Sequence, residues 1–416
     1  MIYVTLFFLL LLFKLGKKFS DSRLQKIFYI IVLVWHTPLF LYQILPFELN
    51  IKPNYLLVYM IVESFLFGLF IALRKGVFSS IKSSNNSWTL YLISFVSIPI
   101  VWIDFFWIGG IDFAFNVESN REIYISNGRS VVGLFGYIST AFSMLLAMKY
   151  NFTIRIKDLV RIIPILIVIY MYLLTGNRQL LVFFVILLFF LYIAKKNPSS
   201  KDLFFKGFIL IVSMSVFFFW YQFERQKFSS DDQLQMLYNI SNMECVNHKI
   251  CKDGSALFPA YIFQYFGNQY HGLSVVIDND LNTPTLSYTL PIVYRRLSQI
   301  FNLTPHEDVV KNFNSQVEQL IDTYPNFWKT MFAQIYTDFG FFGIILWIVI
   351  ITIYIFKLFK PKSVGTQNNI EFQVLALSFI IFAVMYIPFF EPVLFFIFIF
   401  YLIELFVLIF HKRNSE

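Results

Sequence analysis

Apolar residues gather along this chain in uninterrupted blocks of roughly 15 to 25, the length a helix needs to cross about 30 Å of hydrocarbon. They neither alternate, as on a half-buried strand, nor recur every third or fourth position, as on the surface helix of a soluble domain. A composition of 58% hydrophobic, 20% aromatic and 14% charged residues, with a mean hydropathy of +0.66, agrees with the membrane class. The blocks predict helices at about 1–13, 27–45, 55–73, 89–108, 129–148, 162–175, 179–194, 207–221, 330–356, 371–388 and 392–410. The expected fold class is an all-α polytopic membrane protein of about eleven transmembrane helices. The first block, MIYVTLFFLLLLF, lacks a basic leading region and a small-residue cleavage site, so it reads as a retained helix. That block and the pair flanking TGNRQ are short, and a thinner local bilayer, a re-entrant pair or one broken helix are alternatives there.

Charge orients the blocks. With the N-terminus outside, the connections 14–26, 74–88, 149–161, 195–206 and 357–370 and the tail after 410 fall inside and hold 21 Lys and Arg. The short connections of the other face hold only Lys52, Arg121, Arg129 and Arg178. This is the positive-inside asymmetry, and it absorbs the net charge of +8 without a nucleic-acid partner. The division expected is an N-terminal bundle of about eight helices over 1–221, one large, partly helical outer loop over 222–329, and about three helices with a cytoplasmic tail over 330–416. The two cysteines, Cys245 and Cys251 in MECVNHKIC, fall in that loop on the oxidising side and suggest a local disulfide; zinc held with His248 is the alternative.

Charged groups at the edge of a bilayer are costly unless paired or hydrated, which makes them candidates for function. Arg178, preceded by Gly176 and Asn177, stands between two apolar runs with too few neighbours for a solvated loop. Its planar fork of donors suits the oxygens of a pyrophosphate at the lipid interface; an arginine that snorkels or caps a turn is the other reading. Arg129 opens the fifth helix, and Arg225 lies past the eighth beside Glu224, facing a cavity or pairing with that acid. Arg295 and Arg296, in VYRRLSQ, read as an interfacial loop or as a solvated pair.

His271 sits in the aromatic and glycine-rich FGNQYHGLS, a composition suited to a carbohydrate surface. It would serve there as a general base for a sugar hydroxyl, or it is structural. Asp338, with Tyr336 in YTDFGFFG, lies about two turns into the ninth block, either as a base or holding an arginine in place; Gly340 and Gly343 after it would let another helix approach. His36, Glu63, Asp104, Glu391 and Glu404 mark either a polar path through the bundle or interhelical hydrogen bonds. No P-loop, dinucleotide fingerprint, zinc-protease motif or nucleophile elbow occurs, and no acidic metal motif stands in PFELNIKPN, so chemistry without a metal ion or cofactor is expected.

Eleven or so helices, a large late outer loop, TGNRQLL in a short helical pair and TMFAQIYTDFGFFGI opening the helix after the loop together resemble the Wzy family, the O-antigen or oligosaccharide repeat-unit polymerases. The resemblance covers the layout and these two motifs. It implies a GT-C-like architecture in a bacterial inner membrane, with the large loop periplasmic and the C-terminus cytoplasmic. It implies glycosyl transfer from an undecaprenyl-pyrophosphate-linked oligosaccharide, amid membrane lipids and beside a chain-length regulator. It places Arg178 at the donor pyrophosphate and Asp338 in the same outer cavity. Arg225 and His271 join as catalytic candidates by location and chemistry, with Arg129, Arg295, Arg296, Asn177, Glu224 and Tyr336 as substrate-binding candidates. An O-antigen ligase uses the same donor and is the nearest alternative; a lipid or glycan transporter would need a polar path and usually repeated halves.

Overall fold

The structure is a computed structural model. It describes residues 2–49, 54–79, 88–112, 117–127, 131–226, 238, 243–245, 257–264, 269–321, 330–360, 370–385, 388 and 391–400. The helices in chain order are α1 (Ile2–Gly16), α2 (Ser22–Ile44), α3 (Tyr55–Leu73), α4 (Trp88–Trp102, continued by a π-helical turn, Ile103–Ile108), α5 (Val117–Asn127), α6 (Val131–Ala147), α7 (Ile156–Leu159) and α8 (Ile163–Leu174). Beyond these come α9 (Gln179–Lys196), α10 (Ser200–Gln226), α11 (Leu257–Ile262), α12 (Gln269–Asp278), α13 (Pro291–Phe301), α14 (His306–Ile321), α15 (Met331–Phe359), α16 (Ile370–Phe382) and a helical run over 392–400. Among the described residues each apolar block read from the sequence overlaps one of these helices; the block at 371–388 outruns its helix, which ends at Phe382, and the block at 392–410 is described only to 400. Among the described residues five are long and apolar enough to cross a membrane: α2, α3, α4 with its π-helical turn, α9 and α15; α1, α6 and α16 are apolar but shorter.

The helix ends reflect local chemistry. Asp21 caps α2, accepting from the Arg23 amide at 2.8 Å, and also takes the Phe78 amide at 3.1 Å and the Arg23 guanidinium at 2.6 Å. Burial works against ionisation of this carboxyl, but the bonds from Arg23 and the Phe78 amide outweigh it and hold Asp21 below its ordinary value. Thr330 caps α15, and α9 ends on Asn197 in the left-handed conformation at φ 45°.

The chain forms two compact units, which cut across the serial order of the blocks. One comprises Met1–Phe78, Phe228–Gln367 and Phe379–Phe390; the other comprises Ser79–Lys227, Asn368–Ser378 and Glu391–Glu416. In the first, β1 (Phe47–Leu49) pairs antiparallel with β2 (Met243–Cys245), Phe47 opposite Cys245, so PFELN contributes a strand where the sequence showed only a connection. Cys245 is disulfide-bonded, and a sulfur so bonded is no thiolate ligand for zinc; Cys251 lies outside the described residues. α12 is no solvated loop: Tyr270, Leu273, Ser274, Val275 and Val276 are buried, the Tyr270 hydroxyl donates to the Trp35 carbonyl at 2.6 Å, and Ser274 and Asp278 tie the start of α3 through Asn54. In the second unit α4 and α6 meet through hydroxyls, with Ser97 and Ser143 at 2.8 Å and Ser143 donating to the Ser94 carbonyl at 2.9 Å.

Candidate functional site

In the second unit the TGNR turn is built by backbone bonds. The Asn177 amide donates to the Tyr172 carbonyl at 3.1 Å and the Gly176 amide to the Leu173 carbonyl at 3.1 Å, which requires φ +85° at Gly176. Asn177 Oδ1 accepts the Gln179 amide at 3.1 Å, so the amide side chain supplies the cap while Arg178, at the N-cap position of α9, makes no capping bond. The half-buried Arg178 guanidinium lies over two rings of α10, at 5.7 Å from the Phe218 centroid and 5.3 Å from that of Tyr221. Tyr221 is fixed by its hydroxyl, which donates to the Leu173 carbonyl at 2.6 Å. A guanidinium braced in this way keeps the planar fork of donors that matches the oxygens of a phosphate. Arg121 of α5 packs its stem on the same turn, since a Cβ at Gly176 would stand 3.4 Å from Arg121 Cδ.

Glu224 and Arg225 fall in the last turn of α10, with Arg225 one turn beyond Tyr221; their side chains are outside the described set, as is the whole of Arg129. The two rings on Arg178 were not singled out from the sequence. The only signal was the three-residue spacing of Phe218 and Tyr221 within FFFWYQ, which puts both on one helix face.

In the first unit Asp338 is buried, and its carboxylate accepts the Tyr288 amide at 3.1 Å, the Thr289 amide at 2.6 Å and the Thr289 hydroxyl at 2.7 Å. The Thr283 amide donates to the Thr337 carbonyl at 2.6 Å, and the Tyr336 hydroxyl donates to Asp280 at 2.8 Å. Residues 280–290 thus form a strap along the first two turns of α15. Burial, with the Asp338 carboxylate close by, pushes the Tyr288 phenol well above its ordinary value, so it stays protonated.

Just past Asp338 the helix breaks at Gly340, φ 63° and ψ −164°, a region open essentially to glycine alone. Nothing lies within 4 Å of a Cβ built there, and a Cβ at Gly343 would strike Phe339 of its own helix. Gly340 shapes a break in α15, and nothing packs on it as a second helix would, contrary to the sequence reading for that glycine.

His271 is buried in α12 of the same unit, and Tyr270 beside it is packed inside, so these two residues of FGNQYHGLS do not form an open carbohydrate face. Arg295 and Arg296 are exposed on α13; Arg295 meets Glu307 at 3.3 Å and Arg296 donates to Gln299 at 3.2 Å. The dispersed polar residues have local uses. His36 contacts Glu63 at 2.9 Å, Asp104 lies under Gly133, where a Cβ would stand 2.7 Å from its carboxylate, and Glu391 accepts the Leu394 amide at 3.0 Å; Glu404 is outside the described residues. The candidates thus divide, Arg178, Asn177 and the Arg225 position in one unit, His271, Tyr336 and Asp338 in the other.

No protein-family model, curated protein or solved structure matches the chain.

Proposed function

We propose that this chain is a metal-independent membrane glycosyltransferase that polymerises undecaprenyl-pyrophosphate-linked oligosaccharide repeat units, of O-antigen or a related surface polysaccharide, at the periplasmic face of a bacterial inner membrane. In this reading all eleven apolar helices are spans, and the Lys and Arg asymmetry sets their direction. The observation that carries it is Arg178: a guanidinium held by a helix break between two apolar helices and braced on Phe218 and Tyr221.

The reaction it suits is displacement at a sugar. An acceptor hydroxyl oxygen bonds to the anomeric carbon of the donor glycan as that carbon's bond to the phosphate oxygen breaks. Undecaprenyl pyrophosphate leaves with the electron pair, and the hydroxyl proton passes to a base. Negative charge grows on the leaving pyrophosphate, and a fixed guanidinium stabilises it more in the transition state than in the ground state. Arg178 is assigned that role, with Asn177 shaping its turn and Arg225 one turn along α10 from Tyr221.

Deletion of the gene and electrophoresis of the lipopolysaccharide tests the reading. Core capped with single repeat units is expected; unsubstituted core would point to a ligase and overturn the assignment. Arg178→Ala is expected to abolish the ladder at unchanged protein level, with Arg178→Lys intermediate. Polymerisation by the purified enzyme is expected to survive EDTA.

A further inference from the structure

Within the first unit α2 and α3 meet along a ladder of polar side chains whose contacts run antiparallel. At the end where α2 stops and α3 starts, the rings of Tyr42 and Tyr55 pack 5.0 Å apart. One turn further along α3, Gln43 donates to the Tyr59 hydroxyl at 3.2 Å and to Thr5 of α1 at 3.1 Å, and the Thr5 and Tyr59 hydroxyls bond to each other. Deepest lies Glu63, in contact with His36 at 2.9 Å, their side chains 6% and 2% exposed. Tyr55, Tyr59 and Glu63 recur at four-residue steps and so share one face of α3, and Glu63 stands about 12 Å from the start of that helix.

Each level of this ladder carries a buried oxygen with no hydrogen-bond partner among the described residues: the Tyr55 hydroxyl, Gln43 Oε1 and Glu63 Oε2. Polar groups that only hold helices together close on one another, as the Ser94, Ser97 and Ser143 hydroxyls do between α4 and α6. An orphaned oxygen inside a bundle is costly, and a series of them leading to an acid suits water, which bridges several such groups at once. Among the described residues no lysine or arginine pairs with Glu63. α1 brings no charge before Lys14, and α15 brings Phe332, whose ring lies 5.4 Å from that of Phe65. α12 brings Tyr270, within electrostatic reach of Glu63, followed by the buried His271. The titratable groups around the acid are thus His36, Tyr59 and Tyr270, with His271 next along α12.

We infer that Glu63, held by His36, is a proton-exchange site inside the first unit, served by water that enters where α2 stops and α3 starts and passes Tyr55, Gln43 and Tyr59. His36 Nδ1 faces the Val32 carbonyl at 2.8 Å and keeps its hydrogen, and one proton is shared between Nε2 and Glu63 Oε1. Oε2 is the atom left to take another. An O–H bond forms there as an O–H bond of a hydronium ion breaks, the charge of the pair rises by one, and the reverse step returns the proton to water. The inference rests on the α2–α3 contacts and not on the polymerase reading.

The test is infrared difference spectroscopy of the full chain in vesicles of phosphatidylethanolamine and phosphatidylglycerol as the pH is lowered. A carbonyl stretching band of a protonated carboxyl is expected to grow and to move to lower frequency in heavy water. It should be displaced in Glu63→Asp and missing in Glu63→Gln, which keeps an N–H toward His36. Gln43→Leu, which puts hydrocarbon at the middle of the ladder, is expected to slow the heavy-water shift several-fold while leaving the band in place. A Glu63→Gln spectrum identical with the parent's, or a Glu63 band that neither follows pH nor exchanges in heavy water, overturns the inference and makes the pair a sealed structural bond. Exchange at the parent rate in Gln43→Leu overturns the route. Loss of the band when sodium replaces choline at fixed pH also overturns the inference, by placing a metal cation at Glu63 instead of a proton.

Discussion

The carboxylate of Asp338 receives the backbone amide of Thr289 at 2.6 Å, across 49 residues of sequence, together with that residue's own hydroxyl at 2.7 Å. Asp338→Ala would leave these donors and the Tyr288 amide buried without an acceptor. At about 1–3 kcal/mol for each buried unsatisfied group, partly relieved by relaxation, a loss of about 2–4 kcal/mol is expected. Hydrogen exchange read at Tyr288 and Thr289 in detergent should show protection lost there first. Unchanged protection of both amides would remove Asp338 from this role.

Gly340 separates backbone strain from packing. Because no atom lies within 4 Å of a Cβ built at Gly340, an alanine there meets no clash, and its cost is that of φ 63° with ψ −164°, about 1–3 kcal/mol. Gly207→Ala, within α10 and 3.5 Å from Phe189, is expected to be neutral or stabilising by up to about 1 kcal/mol. Thermal unfolding in detergent should come earlier for Gly340→Ala and at the same or a higher temperature for Gly207→Ala.

The buried pair His36 and Glu63 permits a donor count. His36 Nδ1 faces the Val32 carbonyl at 2.8 Å, which only accepts, so that nitrogen carries a hydrogen and one further proton must lie between Nε2 and Glu63 at 2.9 Å. Glu63→Gln supplies an N–H at the same place and is expected within about 1 kcal/mol of the parent, whereas Glu63→Ala loses the bond. A double-mutant cycle with His36→Ala should give a coupling of about 0.5–2 kcal/mol. Zero coupling would mean that the contact contributes nothing.

Two groups outside the spans give stability a pH dependence in separate windows. Burial, and then the Arg295 charge, lowers the pKa of His306 from 6.5, so its folded form holds fewer protons than the unfolded chain. The stability it contributes is complete above about 6.5 and is lost as pH falls through the depressed value. Asp21, also depressed, contributes stability above its ordinary 3.8 that is lost only as pH falls through its lower folded value. Hydrogen exchange on lowering the pH from 7 should show the α13–α14 hairpin loosening well before the start of α2. His306→Gln should remove the first transition and leave the second.

The apolar blocks alone determined that this chain is helical and embedded in a membrane, because hydrocarbon admits only backbone whose polar groups are satisfied within the segment. The described part of each block holds a helix for that reason, and the charge asymmetry between connections is equally local. TGNRQ stood out in the sequence as a candidate because an arginine has no cheap place between two apolar runs.

Contacts between residues distant in sequence were not legible. The two rings on Arg178 lie 40 and 43 residues further along, on a helix that nothing local ties to TGNR. The partners of Asp338 are hydroxyls and amides of a strap that reads as an ordinary loop, and the burial of α12 arises from helices brought against it by the fold. Hydropathy is a sum over neighbours in the chain and so decides which segments enter the membrane. Which side chains then meet is decided by tertiary packing, and that alone turned isolated charges into a braced arginine and an anchored strap.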